Sequence, residues 1–426
     1  MSAPKEKQNI VIIGGGIIGC TTAYYLTHHP NFIPSVHSVT LIEATKLANG
    51  ASGKAGGLLA AWANPSSLAR LSFDLHDQLA REHDGAERWG YRRVRCGQLT
   101  AVVSQRADTS RQESSSHPNI DLGKWWGREV KKSSVLPDDL DWFDPQSAQS
   151  YEEFADTSST AQVHPFQFTN AMAKLAEQSG ARIIMGKVEC INCCDADGAS
   201  QSTSPLTSSS DLTQKKVVSV TYTDKATSKT LTLPATIVVL AAGPWTPTLF
   251  PKVRIQPLRA HSVTMKLQRP VSAYCLFSDI RISDSRPTGK AALKAISLEI
   301  YARPNNEVYI CGQGDRDVPL PPTNSAVEVS SDRCQDIINA AMSVSAELRD
   351  GKVTGRRACY LPTLDAGASS DPLVGQTDLP GLVLATGHSC WGISNAPATG
   401  KAVSELIIDG KVSCMDMANL DARGIR

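Results

Sequence analysis

Residues 11–20 read VIIGGGIIGC, a run of β-branched residues that ends in glycines spaced G-x-G-x-x-G. Few local patterns restrict a fold as tightly. Asn9–Ile13 is a short apolar strand of the kind covered on both faces in a parallel sheet. Gly14 permits the tight turn, and Gly16 lets backbone approach a pyrophosphate with no Cβ between them. Gly19 lets the next helix, over Ile17 to His28, pack on the strand. That helix N-terminus offers free N–H groups and a positive dipole end to a diphosphate. A second strand, HSVTLIEA, ends at Glu43, an acid that suits the hydroxyls of a ribose and repels a 2′-phosphate. Strand, glycines, helix, strand and acid in this order predict an α/β, Rossmann-like dinucleotide-binding domain.

At 426 residues the chain exceeds one usual core, so a second domain is expected. A net charge of +1 with 20% charged residues argues against a nucleic-acid partner, which needs a concentrated basic patch. No apolar run reaches membrane-spanning length. The polar start, MSAPKEKQN, enters the first strand directly and leaves no room for a signal peptide, and the terminal RGIR is not an S-K-L address. Eleven irregularly spaced cysteines read as reduced thiols in a cytoplasmic setting. Cys190, Cys193 and Cys194 include one C-x-x-C, but no second pair completes a zinc site, so no metal is expected.

Serine-rich stretches at 104–119 and 195–216 lack the hydrophobicity to join a core and read as mobile loops. The second separates two alternating strands and reads as a long hairpin tip. Residues 164–181 read as a helix with Phe168, Met172, Leu175 and Ala176 on one face. TIVVLAAGPW (236–245) is another apolar strand for the first sheet, broken at Gly243–Pro244. Residues 255–355 alternate apolar and polar, as an antiparallel sheet with one exposed face would. The closing GLVLATGHSCWGISNAPATGK is strand, glycine-rich turn and helix, returning the chain to the first domain. The expected division is a discontinuous nucleotide-binding domain at 1–95, 160–250 and 358–426, with a largely antiparallel substrate domain at 96–159 and 251–357. Trp125 and Trp126 are expected on the substrate domain's apolar face.

In this arrangement the chain resembles the D-amino-acid-oxidase-like superfamily of FAD-dependent oxidoreductases, which includes glycine, sarcosine and fructosyl-amino-acid oxidases. The resemblance rests on VIIGGGIIG, Glu43, GASGKAGG (50–57), VHPFQFT (163–169), VVLAAGPW (238–245) and ATGHSCWGISNAPATGK (385–401), and covers nearly the whole chain. It implies an FAD-binding domain of the glutathione-reductase type and oxidation of a small amine or amino-acid-derived molecule. Gly14, Gly16, Ile17 and Ile18 would begin the cofactor site, and Ala51 and Ser52 would lie along the pyrophosphate. Gly56, Gly57 and Leu58 would pass close to the isoalloxazine, and Val188 would contribute backbone near the adenine. Ala242 and Gly243 would pack near the ribose and pyrophosphate, with Trp245 near the flavin. Gly387, His388, Ser389, Cys390, Trp391, Gly392 and Ile393 would form the turn facing the ring's pyrimidine edge, ahead of a helix starting around Asn395–Pro397. The positive end of that helix would stabilise charge on the reduced flavin. An NAD fold accounts for the first 45 residues but not for the last 40, so the glycines are assigned to FAD and an NAD-dependent dehydrogenase is the alternative.

Three basic residues of the relatives are missing. Leu361, in CYLP, stands where glycine-oxidase-like members carry a carboxylate-binding arginine. Ser394 replaces a lysine of the glycine-rich turn, and Ile310 aligns with the oxygen-activating lysine. Simple α-amino acids are therefore expected to be poor substrates. Tyr301, Arg303, His388 and Trp391 are the candidate pocket residues, with Lys54 in the loop near the flavin. Cys359 falls where some relatives bond the flavin covalently, with Arg356 and Arg357 upstream as groups able to lower its pKa. Two functional classes compete: an oxidase or dehydrogenase acting on C–N bonds, and an FAD-binding protein with decayed catalysis and a structural or partner-binding role.

Overall fold

The computed structural model describes residues 6–104, 136–195, 212–283, 293–364 and 371–423. Most of the two serine-rich loops, and Trp125 and Trp126, lie outside them.

The first strand, Gln8–Ile13, sits inside an eight-stranded sheet, parallel to His37–Glu43 on one side and to Ile237–Leu240 on the other. Both of its faces are covered, which explains its unbroken apolar run. Ile10 and Ile12 pack in a core with the helices Ile17–Thr27, Pro165–Gln178 and Gly392–Ile408. Val11 and Ile13 pack in a second core with Val188, Val220 and Tyr222, from the antiparallel hairpin Arg182–Asp195 and Lys215–Asp224. Leu382–Thr386 adds a further parallel strand beside Ile237–Leu240, so the C-terminal residues complete the sheet that the N-terminal residues begin.

A seven-stranded sheet forms the second layer. Its strand order is Lys352–Leu364, Ile255–Lys266, Glu307–Asp315, Leu293–Arg303, Tyr274–Ser283, Arg95–Ser104, Ala148–Ala155. All neighbours are antiparallel except Tyr274–Ser283 against Arg95–Ser104. One face, with Val263, Leu298, Ile300 and Ile310, is covered by the helix Ser331–Ser343. The other face turns Cys275, Phe277, Tyr301, Tyr309, Cys359 and Leu361 towards Leu58, Ala51 and Trp62 of the nucleotide-binding half. Residues 358–364, expected with the nucleotide-binding sheet, lie in this second sheet instead, because one 13-residue strand runs unbroken from Lys352 to Leu364.

The last helix also departs from expectation. It starts at Gly392, so Pro397 lies inside it rather than at its first turn. A proline there leaves the carbonyl four residues earlier without its usual donor. That carbonyl belongs to Ile393, and it accepts a hydrogen bond from Nε2 of buried His76 at 3.0 Å. Burial pushes the His76 imidazole down to about 4, so it stays neutral when folded. The unfolded chain binds a proton near pH 6.5 and the folded chain does not until near pH 4. Stability contributed by neutral His76 is therefore complete above pH 6.5 and declines as pH falls towards 4, by on the order of 3 kcal/mol. Thermal unfolding of wild type and His76→Gln across this range should show a shallower decline in the variant.

Candidate functional site

The glycines of the cradle separate into two kinds. At Gly14, with φ +114°, and at Gly19, an added Cβ would overlap protein backbone, so both are dictated by chain packing. At Gly16 an added Cβ meets only Ser52 Oγ, at 3.1 Å, and at Gly243 nothing lies within 4 Å. These two present bare backbone to open space. Gly16 precedes the helix Ile17–Thr27, and the Ile17 N–H is accepted by Ser52 Oγ at 2.9 Å. The Ser52 hydroxyl hydrogen thereby points away from the helix and can serve an anion. Ala51 and Ser52 start the short turn Ala51–Gly53 above this cradle.

Glu43 is buried at its strand end. Its Oε1 accepts from the Thr45 and Lys46 N–H groups at 2.8 and 3.3 Å and from the Thr45 hydroxyl at 3.0 Å, while among the described residues Oε2 accepts only from the Gly15 N–H, at 2.9 Å. One lone pair of Oε2 is thus left to take a ribose hydroxyl. The arrangement fits the adenosine-diphosphate half of FAD. Val188 pairs with Tyr222 and packs into the core beneath this region. Ala242 and Gly243 follow Ile237–Leu240, and the Gly243 carbonyl accepts from Thr246 Oγ1 at 2.8 Å. Trp245 donates its Nε1–H to the Pro321 carbonyl at 2.7 Å, which holds it against the substrate half.

The C-terminal turn uses two left-handed residues, Gly387 at φ +82° and Ser389 at φ +50°, before Gly392 and Ile393 open the helix. His388 is engaged within the turn. It is buried, its Nε2 lies 3.0 Å from Thr399 Oγ1, and burial pushes it down to about 3. Thr399 Oγ1 in turn donates to the Asn395 carbonyl, so His388 is the donor to Thr399 and acts as a brace of the turn. Cys390 is solvent-exposed, yet surrounding protein pushes its thiol up to about 12, with Glu299 as the first electrostatic contributor. A solvent-reached thiol hemmed in by protein describes the wall of a cleft. Trp391 stands edge-on to Trp62, ring centres 6.3 Å apart.

Across the cleft, the strand Leu293–Arg303 alternates. Glu299, Tyr301 and Arg303 share the face towards the nucleotide-binding half, opposite Cys311, Tyr309 and Glu307 of the next strand. Gly56 is glycine because an added Cβ would collide with the Tyr301 ring. Gly57, with φ +98°, leads into the strand Leu58–Ala60. Tyr301 is edge-on to Phe277 and donates its hydroxyl hydrogen to Glu299 Oε2 at 2.7 Å. Glu299, Phe277 and Tyr309 were not among the expected pocket residues. The signal for Glu299 was available: in SLEIYAR it lies two residues before Tyr301, which in a strand puts both on one face.

The basic candidates are occupied. Arg303 is buried, donates to the carbonyls of Ala55 and Gly56 at 2.7 Å each, and pairs with Glu307 at 2.9 Å. It is a strut under the cofactor loop rather than a free anchor. Lys54 Nζ donates to the Ala358 carbonyl at 3.0 Å, and burial lowers its pKa. Ser394 Oγ accepts from the Ala60 N–H at 3.3 Å. Ile310 points into the helix-covered core, so it is not on the flavin-facing side where the oxygen-activating lysine was aligned; its neighbours Tyr309 and Cys311 face the cleft. Arg356 is engaged with Gln335, and the cation that acts on Cys359 is Lys54, not the upstream arginines.

A two-layer α/β chain with this cradle and this facing sheet has the architecture of a flavin-dependent oxidoreductase. The chain belongs to the DAO family, described as FAD dependent oxidoreductase, which it matches over residues 9–406. It is 33% identical to "Putative oxidoreductase TDA3" of Saccharomyces cerevisiae over 98% of this chain and 94% of that protein. Among solved structures it is similar to glycine oxidase of Geobacillus kaustophilus (TM-score 0.64, 18% identity, 98% and 99% of the two chains). It is also similar to iminodiacetate oxidase of Chelativorans sp. BNC1 (TM-score 0.66, 16% identity, 98% and 100%). At such identities these two establish the shared fold. The family assignment sets aside the NAD reading. No helix of the described residues is long and apolar enough to cross a membrane, and no group of metal ligands occurs among them.

Proposed function

We propose that the protein oxidises the C–N bond of a secondary amine or a modified amino acid, with oxygen or another acceptor reoxidising the flavin. The observation that carries this reading is the aromatic sheet face set against the cofactor loop at Gly56. FAD, when bound, supplies a two-electron acceptor for the hydride leaving the carbon beside nitrogen. As that hydride leaves, the nitrogen lone pair forms a C=N bond, and water can then hydrolyse the product. Tyr301, Phe277 and Tyr309 would hold the substrate carbon in place and keep water out. The N–H groups at the start of Gly392–Ile408 would stabilise negative charge gained by the cofactor. Glycine oxidase and iminodiacetate oxidase, by name, act on small amino or imino acids, which supports this substrate class. All eleven cysteines are free, which suits a reducing, cytoplasmic setting.

A second reading, an FAD protein with decayed catalysis, draws support from the engaged state of Arg303 and His388. Anaerobic addition of a panel of secondary amines distinguishes the two: bleaching of the flavin supports oxidation, and no bleaching by any member supports decay.

Cys359 is the position a covalent flavin bond would use, and such a bond requires a thiolate. Burial pushes this thiol up to about 11, with only Lys54 opposing. Dissociable FAD is the expected result: acid precipitation of yellow holoprotein should leave a white pellet. A yellow pellet that turns white in Cys359→Ala would establish the bond.

A further inference from the structure

Glu299 sits on the cleft-facing side of its strand, half-buried, beside Tyr301 and opposite Phe277 and Cys311. Its one hydrogen-bonded neighbour among the described residues is the Tyr301 hydroxyl, at 2.7 Å, and it forms no ion pair with any described basic side chain. Three of the cations near this face are engaged, while Arg357, three strands from Glu299 in the same cross-strand row, makes no ion pair with it. Arg303 holds the Ala55 and Gly56 carbonyls, Lys54 holds the Ala358 carbonyl, and Arg92 donates to the Ala302 carbonyl. Leu361, on the same face, is hydrocarbon.

We propose that Glu299 is a specificity-determining residue of this cleft, pairing with a positively charged amine and rejecting a substrate with a free carboxylate. The proposal rests on the amine-oxidising reading and narrows its substrate class. A carboxylate with a single hydroxyl donor and no counter-ion is under-compensated for its burial. Burial accordingly holds the Glu299 carboxyl above its ordinary range, while the Tyr301 hydroxyl pulls it down. A substrate ammonium placed against Oε1 would supply the missing charge and a charge-assisted hydrogen bond, and passing one proton to that carboxylate would free the nitrogen lone pair before hydride loss. A substrate carboxylate in the same position would meet like charge. Aromatic walls at Phe277 and Tyr301 add to the preference, since ring faces attract cations.

The test titrates the FAD-loaded protein anaerobically with three probes of similar shape: N-methylbenzylamine, benzoate and benzyl alcohol. Perturbation of the flavin absorption band reports binding, and bleaching is followed separately. The amine should bind at least ~10-fold more tightly than the alcohol, and benzoate more weakly than either. Glu299→Gln keeps the acceptor for Tyr301 and should weaken the amine at least ~10-fold while leaving the alcohol within about twofold. Glu299→Asp should restore part of the loss, and flavin content with melting temperature verifies folding of each variant. Benzoate binding as tightly as the amine, an amine affinity untouched by Glu299→Gln, or no perturbation by any probe overturns the proposal. Amine binding that depends on Glu299 but never bleaches the flavin upholds the anchor and removes the oxidation reading. Bleaching that is indifferent to Glu299→Gln does the reverse.

Discussion

Gly16→Leu is expected to yield a folded, colourless protein whose FAD affinity falls at least ~100-fold, about 2.7 kcal/mol. Gly16 has φ −78° and ψ 179°, a conformation open to any residue, so leucine brings no backbone strain. Its Cβ would meet only the Ser52 hydroxyl, at 3.1 Å, and that side chain can rotate away. What leucine fills is the space in front of the helix N-terminus, where the pyrophosphate must approach bare backbone. Gly14→Ala is the control with the opposite profile. It combines φ +114° with overlap of the Ala241 carbonyl, so it should lower the yield of folded protein itself. Flavin absorbance per protein and the FAD-induced rise in melting temperature read the difference, because a ligand stabilises only the state that binds it. A Gly16→Leu protein with full flavin content would remove the cradle from the cofactor site.

The first domain was legible because its signals are local. A buried parallel strand needs an unbroken apolar run, a diphosphate cradle needs glycines at fixed spacing, and both stand in one stretch from Asn9 to Gly19. The cleft was only half legible. Tyr301 and Arg303 could be placed on a strand, but nothing local says that Arg303 turns back onto the Ala55 and Gly56 carbonyls, 248 and 247 positions away. The contact of His388 is equally non-local: its partner Thr399 is on the next helix, and only the helix start at Gly392 brings the two together. That start was itself misread from Pro397. A proline usually marks a first turn, and the exception depends on His76, more than 300 residues away in the chain, taking the stranded Ile393 carbonyl. Ile310 shows the sensitivity of strands to register: a shift of one residue carries a side chain from the cleft to the helix-covered core.

Glycine and alanine are expected to be oxidised at least ~10³-fold less efficiently, in kcat/KM, than the best secondary amine lacking a carboxylate. A bound α-amino acid brings a carboxylate that must be paired to sit in a closed cleft, and leaving it unpaired costs several kcal/mol. Three positions where an anchor was looked for do not offer a free cation. Leu361 is hydrocarbon, Ser394 is uncharged and buried, and Arg303 is tied to the cofactor loop and Glu307. Glu299, on the same face as Leu361, would repel it further. Leu361→Arg supplies the missing cation and should raise kcat/KM for alanine by about tenfold, the effect of one charge-assisted hydrogen bond. The gain should fall mainly on KM, since the new contact is made in the ground state as well as in the transition state. Rapid wild-type turnover of alanine would show that a carboxylate anchor exists. If Arg303→Lys then abolished that turnover while flavin content stayed intact, the anchor would be Arg303, released from the Gly56 carbonyl when substrate enters.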